Sequence, residues 1–224
     1  MEKHKNAFIC ITGLDGSGKT TLGRKLCGYL NDKNIDSIYV YARLRPFFSK
    51  PSMAIGHFLF LRNHDMEKDY TEYTRKKNIL FKKNKFISNC YRMILFFDDI
   101  IQLIWKIKFP LLKGKTVICD RYVYDTVITD MANDMQMPSD QLDTILERYF
   151  LFLPKPTVTF LIDVDENVAH SRKNDIPNIK YLKDRRNLYL NVAERYNMNI
   201  LNGNKEINEV FSEAKEKIIY VLNT

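Results

Sequence analysis

The sequence predicts an α/β fold in which a five-stranded parallel sheet carries helices on both faces. Short apolar segments rich in β-branched and aromatic residues alternate along the chain with longer segments whose apolar residues recur at helical spacing. Strands that alternate with helices are typical of parallel sheets, because each parallel crossover is usually made by a helix. The 224 residues show no internal repeat and no low-complexity linker, so we expect residues 1–224 to form a single domain.

Each strand of the predicted sheet is a short run of apolar, strand-forming residues. The runs are AFICIT, SIYVY, KTVIC, TVTFLI and the shorter MNIL, at residues 7–12, 37–41, 115–119, 157–162 and 198–201. Helices are predicted around them, at residues 21–30, 53–62, 86–109, 141–151, 167–173, 181–196 and 207–221. In the first helix Leu22, Leu26 and Leu30 fall on one face. Asp165 precedes the helix at 167–173 and is expected to cap it.

The helix predicted at 86–109 has an unusually wide apolar surface. One apolar stripe contains positions 87, 90, 94, 97, 101 and 104, and a second contains positions 93, 96, 100, 103 and 107. Together they cover about half of the circumference, whereas an ordinary surface helix has an apolar stripe of roughly 100°. We expect this helix to pack on the sheet and on a second surface, which is either a partner subunit or the irregular segment at residues 63–85.

The net charge of +8 limits the classes of partner. A positive net charge is compatible with binding to nucleic acid, to an anionic membrane surface or to a small polyanionic substrate. The basic residues at 75–85 are also compatible with a solvated loop. The sequence contains no nucleic-acid recognition module, so we expect no nucleic-acid partner. Four cysteines without CxxC spacing and four histidines without metal-ligand spacing indicate free thiols in a reducing compartment. With neither an apolar signal region nor about 18 consecutive apolar residues, we expect a cytoplasmic protein without a membrane partner.

Residues 13–20, GLDGSGKT, fit the pattern G-x-x-x-x-G-K-[ST] between a predicted strand and a predicted helix. In this phosphate loop, or P-loop, backbone N–H groups surround phosphate oxygens, the lysine reaches the β- and γ-phosphates, and the final hydroxyl ligates Mg²⁺. The motif therefore predicts a nucleoside triphosphate ligand and a three-layer P-loop NTPase fold. The residues expected to bind the nucleotide are Gly13, Asp15, Gly16, Ser17, Gly18, Lys19, Thr20 and Thr21, and Thr20 is also a metal ligand.

Charged residues follow the other predicted strands, at the edge where open parallel sheets bind ligands. Arg45, after the second strand, either grips a second phosphate or lies in a basic loop. Asp120 and Arg121 follow the third strand, where they either place Mg²⁺ and an anion or form a local ion pair. The basic segment 172–186, interrupted by Pro177, fits either a mobile lid over the phosphates or a solvated loop.

Together these motifs resemble the thymidylate kinase family of P-loop nucleoside monophosphate kinases. The matching segments are GLDGSGKTT (13–21), CDRYVYD (119–125), FLIDVDENVAHSR (160–172) and YLKDRRNLYLNVAERY (181–196). They follow the family order along nearly the whole chain. The resemblance implies transfer of the γ-phosphoryl group of ATP to dTMP with Mg²⁺ present.

The resemblance also implies further properties of the chain. Residues 43–85 would form the acceptor-binding or insertion region, and residues 172–186 the lid. The family forms dimers through long helices, which implies a homodimer through helix 86–109.

The resemblance assigns roles on the acceptor side of the site. Asp15 would lie near the sugar of the acceptor, while Arg45 and Arg121 would hold its phosphate. Phe96 corresponds to the aromatic residue that stacks on the base. Four residues later, where the family has an arginine for the thymine edge, this chain has Ile100.

The resemblance also assigns roles in phosphoryl transfer, where Lys19 would act with Asp120 and the lid. Asp120 would place Mg²⁺ or the acceptor. Some family members carry an arginine in the loop at the position of Gly16, whereas others supply it from the lid. Arg172 and Arg186 are therefore the candidates for stabilising the transferred group. Asn202 and Gly203 match the region that touches adenine.

Two departures keep alternative functions open. Ile100 donates no hydrogen bond, and Asp125 replaces a small or hydroxyl residue and would repel an acceptor phosphate unless it points elsewhere. The first alternative is a P-loop kinase of the same fold that acts on a nucleoside or another small acceptor. The second is a nucleotide-binding regulatory protein with little turnover, which the retained Lys19 and Asp120 disfavour.

Overall fold

The computed structural model describes residues 6–43, 85–133, 140–173 and 179–223. The chain divides into two compact units, one comprising Met1–Arg43 with Leu103–Thr224 and the other Leu44–Gln102. The single-domain assignment of residues 1–224 stays a prediction. Among the described residues, no helix is long and apolar enough to cross a membrane.

The first unit contains a five-stranded, all-parallel sheet, which confirms the predicted fold class. Its strands are β1 (Phe8–Gly13), β2 (Ser37–Tyr41), β3 (Thr116–Asp120), β4 (Val158–Asp163) and β5 (Asn199–Asn202). Their order across the sheet is β2-β3-β1-β4-β5. Every strand begins at its predicted residue or one residue later, because short apolar runs bounded by polar residues mark buried strands clearly.

Helices connect the strands. They are α1 (Lys19–Asp32), α2 (Lys85–Leu103), α3 (Phe109–Leu112), α4 (Val123–Asp125), α5 (Asp140–Phe150), α6 (Glu166–Ser171), α7 (Ile179–Arg195) and α8 (Ile207–Asn223). Two π-helical segments, Ile104–Lys108 and Thr126–Asn133, follow α2 and α4. The helix predicted at 86–109 covers α2 and the first π-helical segment, whereas residues 110–112 of α3, α4 and the second π-helical segment were not predicted. The helix predicted at 53–62 lies outside the described residues.

One face of the sheet packs against α1 and α8. Ile9 and Ile11 of β1 are fully buried there with Leu26 of α1 and Ile218 of α8. Alternate residues of β1 point to the opposite face, where the Phe8 ring meets the Tyr122 ring edge-on at a centroid distance of 5.0 Å. Helices on both faces give the three layers that the sequence predicts.

The strand register gathers the carboxyl ends of the central strands at one edge. Ile11 of β1 pairs with Asp120 of β3, and Gly13 pairs with Ile162 of β4. The chain therefore leaves β1, β3 and β4 side by side, and the residues that follow these strands form one site. Beyond β4, the carboxylate of Asp165 accepts a hydrogen bond from the Asn167 N–H at 2.9 Å, which confirms its predicted cap of α6.

Candidate active site

The glycine loop between β1 and α1 has a backbone that only glycine adopts without strain. Gly16 and Gly18 have φ angles of +82° and +94°, in the left-handed region. Gly18 caps α1, so the N–H groups of the first helical turn and the positive end of the helix face the loop. This arrangement forms an anion-binding concavity.

Lys19 is buried and folds back over the loop. Its Nζ donates hydrogen bonds to the carbonyl oxygens of Gly13 at 2.8 Å and Leu14 at 2.6 Å, and to the Ser17 hydroxyl at 3.4 Å. Burial, reinforced by the charge of Arg121, lowers the pKa of Lys19 to about 8. The ammonium is therefore held by neutral groups in a place where an anion would stabilise its charge.

Asp120 lies at the end of β3 and is completely buried. Its Oδ2 accepts hydrogen bonds from the Thr20 hydroxyl at 2.5 Å and from the Tyr39 hydroxyl at 2.7 Å. Burial and the bond to Asp120 raise the pKa of Tyr39, so this phenol stays protonated and donating. Oδ1 of Asp120 is buried, and no hydrogen-bond partner for it occurs among the described residues.

Arg121 is held between two carboxylates. Nη1 contacts Asp125 at 3.3 Å, and Nη2 donates to Asp15 in the glycine loop. Burial alone would lower the pKa of Arg121, but the neighbouring Asp125 and Asp15 raise it. Burial alone would raise the pKa of Asp15, but the charges of Arg121 and Lys19 outweigh burial and lower it. The Asp15 carboxylate next to Arg121 is therefore a charged partner.

A cavity of about 560 Å³ opens over the loop, within the first unit. Its walls are the glycine loop, Arg121, Arg172, Lys173 and residues 203–207. Arg172 Nη1 donates to the Gly203 carbonyl oxygen at 3.1 Å, which ties the end of α6 to the turn after β5. Cavities of this size accommodate small-molecule ligands, and cations line the part nearest the loop. The arrangement can bind a polyphosphate and transfer a phosphoryl group.

Comparison with known proteins decides which family this site belongs to. The sequence profile described as thymidylate kinase matches residues 62–214, which is more than half of the chain. The chain belongs to the thymidylate kinase family. It is a nucleotide kinase, and the P-loop, Arg121 and the parallel sheet are accordingly parts of a phosphotransferase.

Relatives of the chain occur in bacteria and archaea. It is 28% identical to the thymidylate kinase of Buchnera aphidicola subsp. Baizongia pistaciae, with 98% of each chain covered. It is 28% identical to a probable thymidylate kinase of Methanocaldococcus jannaschii, with 93% of each chain covered. It is also 29% identical to probable thymidylate kinase 1 of Saccharolobus solfataricus, with 92% of this chain and 94% of the relative covered.

Several of the predicted site residues lie away from the cavity wall. Arg186 donates to Asp163 through Nε at 2.7 Å and to Glu166 through Nη1 at 2.8 Å. Asn202 ends β5 and its side chain accepts from the Asn204 N–H at 3.0 Å, whereas Gly203 lines the cavity. The family roles proposed for Arg186 and Asn202 stay predictions.

The remaining acceptor-side residues, Arg45, Phe96 and Ile100, belong to the second unit. Arg45 lies outside the described residues. Residues 174–178 of the predicted lid, which belong to the first unit, also lie outside them. Phe96 and Ile100 lie on α2 in the second unit. There the Phe96 ring meets the Phe97 ring edge-on at 5.7 Å, and Ile100 is buried. Their predicted contact with a base stays a prediction.

Sequence reasoning missed Tyr39, Lys173 and Arg185. Lys173 lines the cavity, and its position next to Arg172 could have drawn attention to it. Arg185 is buried, with its guanidinium 3.8 Å from the centroid of the Tyr181 ring. The adjacent arginines Arg185 and Arg186 indicate that this part of α7 is strongly basic. The sequence does not show which of the two side chains is buried. No sequence signal connects Tyr39 with Asp120, because the two are 81 positions apart.

The pair of Thr20 and Asp120 fits Mg²⁺. A hydroxyl and a carboxylate 2.5 Å apart provide hard oxygen ligands, and the unpaired Oδ1 of Asp120 is a buried acceptor suited to a metal-bound water. The described residues contain no cluster of three or more His, Cys, Asp or Glu side chains that could hold a metal ion. A bound polyphosphate and water would supply further oxygen ligands to Mg²⁺ at such a site.

Gly16→Ala should strongly reduce ATP binding. A Cβ at residue 16 would lie 2.5 Å from the carbonyl oxygen of Ala169, and the backbone there has a positive φ. We expect ATP affinity, measured by isothermal titration calorimetry, to fall about tenfold or more. Gly28→Ala is the control, since a Cβ at that position in α1 meets nothing within 4 Å. Equal ATP affinity in the Gly16→Ala variant would contradict this description of the loop.

ATP binding should take up a proton at alkaline pH. In the free protein the pKa of Lys19 is about 8. A bound polyphosphate favours the charged form of Lys19 and therefore raises this pKa. Proton uptake on binding should therefore rise from near zero at about pH 7 toward one at about pH 9, and affinity should weaken over the same interval. Calorimetry in buffers of different ionisation enthalpy measures this uptake. The Lys19→Met variant should show no such rise; a rise that survives this substitution would exclude Lys19 as its source.

Proposed function

We propose that this family member transfers the γ-phosphoryl group of ATP to dTMP with the help of Mg²⁺. The observation that carries the proposal is a cavity in the first unit that is lined by both the P-loop and Arg121. A kinase has to hold two phosphate-bearing substrates with their phosphates adjacent. One cavity lined by Lys19 of the loop and by Arg121 offers cations to the phosphates of both substrates.

On the donor side, the loop and Lys19 would hold the β- and γ-phosphates of ATP. Thr20 and Asp120 would hold Mg²⁺, which neutralises charge on the phosphate oxygens when it is bound. Tyr39 would keep the Asp120 carboxylate in place through its 2.7 Å hydrogen bond. Arg172 lies at the cavity wall and would stabilise charge on the transferred group.

On the acceptor side, Arg121 would bind the phosphate and Asp15 would face the sugar. The relatives named thymidylate kinase support dTMP as the acceptor. One observation favours a second candidate, a different nucleoside monophosphate. Ile100 stands where the family resemblance expects a base-reading arginine, and an aliphatic side chain offers the thymine edge no hydrogen bond.

ADP release with Mg-ATP should identify the acceptor. The panel is dTMP, dUMP, UMP, CMP, AMP, GMP and the free nucleosides. We expect dTMP to stimulate release about tenfold or more over the rate without acceptor, and Lys19→Met to lower the stimulated rate by about 10². Selective stimulation by another monophosphate would replace dTMP with that acceptor. No stimulation across the panel, with ATP still bound, would favour the regulatory alternative.

We also infer that the protein forms a homodimer through α2 and the segment that follows it. Met93, Phe97 and Ile101 recur every four residues on α2 and are exposed. Farther along the chain, in the first unit, Trp105 and Phe109 are also exposed. Rows of large exposed apolar side chains on a helix are typical of protein–protein interfaces.

We further infer a cytoplasmic location. The four cysteines are free thiols, which supports a location in a reducing compartment such as the cytoplasm.

Light scattering coupled to size-exclusion chromatography should give twice the chain mass of 26.5 kDa. Phe97→Asp should shift the protein toward the monomer, because it places a charge in the apolar row. Tyr220→Asp is the control, since that side chain is 70% exposed, against 51% for Phe97, and belongs to α8. A monomeric wild-type protein would refute the dimer.

A further inference from the structure

Asp125 is the acid that departs from the family pattern, and it is fully engaged inside the protein. Its Oδ2 accepts from the Thr12 hydroxyl at 2.8 Å and from the Tyr122 N–H at 3.3 Å. Its Oδ1 accepts from the Tyr189 hydroxyl at 2.8 Å and from Arg121 at 3.3 Å. Both oxygens are therefore satisfied, and the carboxylate does not point toward an acceptor phosphate.

These bonds join three separate parts of the fold at one carboxylate. Thr12 belongs to β1, directly before the glycine loop, and Tyr189 belongs to α7. Burial and the neighbouring Asp125 raise the pKa of Tyr189, which keeps its hydroxyl protonated and donating. A buried carboxylate with all its acceptor positions filled has one orientation, so it is a rigid support for Arg121.

The two partners of Arg121 differ in their access to the cavity. The Asp125 side chain is 5% exposed and does not line the cavity, whereas the Asp15 side chain is 18% exposed and does. An incoming phosphate can therefore compete with Asp15 for the guanidinium while Asp125 stays in place. Displacement of Asp15 would leave its carboxylate free to accept a hydrogen bond from the acceptor.

We propose that Asp125 and Tyr189 are positioning residues that fix the Arg121 guanidinium for the acceptor phosphate and connect it to α7. Asp15 is the partner that this phosphate replaces. The proposal rests on the proposed function, because it takes Arg121 as the acceptor-phosphate ligand. A guanidinium already fixed in its binding orientation loses less conformational freedom when the phosphate binds. Because α7 contains residues 179–186 of the predicted lid, the same bonds relate the lid helix to acceptor binding.

Tyr189→Phe tests the connection with the smallest change. It removes the hydroxyl that bonds Asp125 and leaves the charges of Asp125 and Arg121 in place. We expect KM for the acceptor to rise roughly five- to tenfold, while KM for ATP changes less than about twofold. Tyr196→Phe is the matched control, since its ring packs on Tyr124 and Phe150. A merely structural role for Tyr189 would change both KM values together or neither.

A double-mutant cycle with Asp125→Asn gives the second measurement. If Tyr189 acts through Asp125, the double variant should raise KM for the acceptor no more than the stronger single variant does. Additive effects would overturn the connection. If Asp125→Asn does not fold, the Tyr189→Phe result decides alone.

Calorimetry of the wild-type protein separates this proposal from the proposed function. ATP binding without binding of any nucleoside monophosphate would overturn both. Binding of dTMP with the same Kd in the wild-type and Tyr189→Phe proteins would overturn only the positioning role.

Discussion

Buried positive charge is the constraint on which the rest of this site depends. A cation removed from water is strongly unfavourable unless it is paired or hydrogen-bonded, and both Lys19 and Arg121 are buried. Lys19 meets the requirement with the carbonyl oxygens of the loop, which are available only because glycines permit the loop to turn back. Arg121 meets it with Asp15 and Asp125, and adopts a φ of +69° in doing so.

Lys19 and Arg121 are both buried cations, but they are stabilised by partners of different charge. This difference affects how each cation can bind an anion. The hydrogen-bond partners of Lys19 are neutral oxygens, so a polyphosphate can replace them without displacing a carboxylate bonded to the ammonium. The partners of Arg121 are carboxylates, so its charge is already compensated and an anion has to exchange with one of them. In the proposed function, the loop with Lys19 would therefore attract the donor polyphosphate directly, whereas binding at Arg121 would favour acceptors that also make use of the released Asp15 carboxylate.

The fold and the loop could be predicted from the sequence because their signals are local. Apolar runs set the strands within one residue, and GLDGSGKT needs only its neighbouring strand and helix to be interpreted. The pairing of charges could not be predicted in the same way. Arg121 contacts Asp15 across 106 positions of sequence, and Tyr189 contacts Asp125 across 64. Spacing along the chain contains no information about such contacts, and for the same reason it could not distinguish the buried Arg185 from the ion-paired Arg186.

The family profile matches residues 62–214, which include Asp120 and Arg121 but not the glycine loop. The loop has the left-handed glycines of a phosphate site, so its geometry adds an observation that the profile does not contain. The predicted phosphate-site residues Lys19, Asp120 and Arg121 all lie in the first unit, whereas Phe96 and Ile100, at the positions predicted to contact a base, lie in the second. The proposed phosphoryl transfer and the predicted base contact therefore involve different segments of the sequence. Under the proposed function, the isoleucine at position 100 bears on which nucleotide is accepted and not on the groups proposed to bind phosphate.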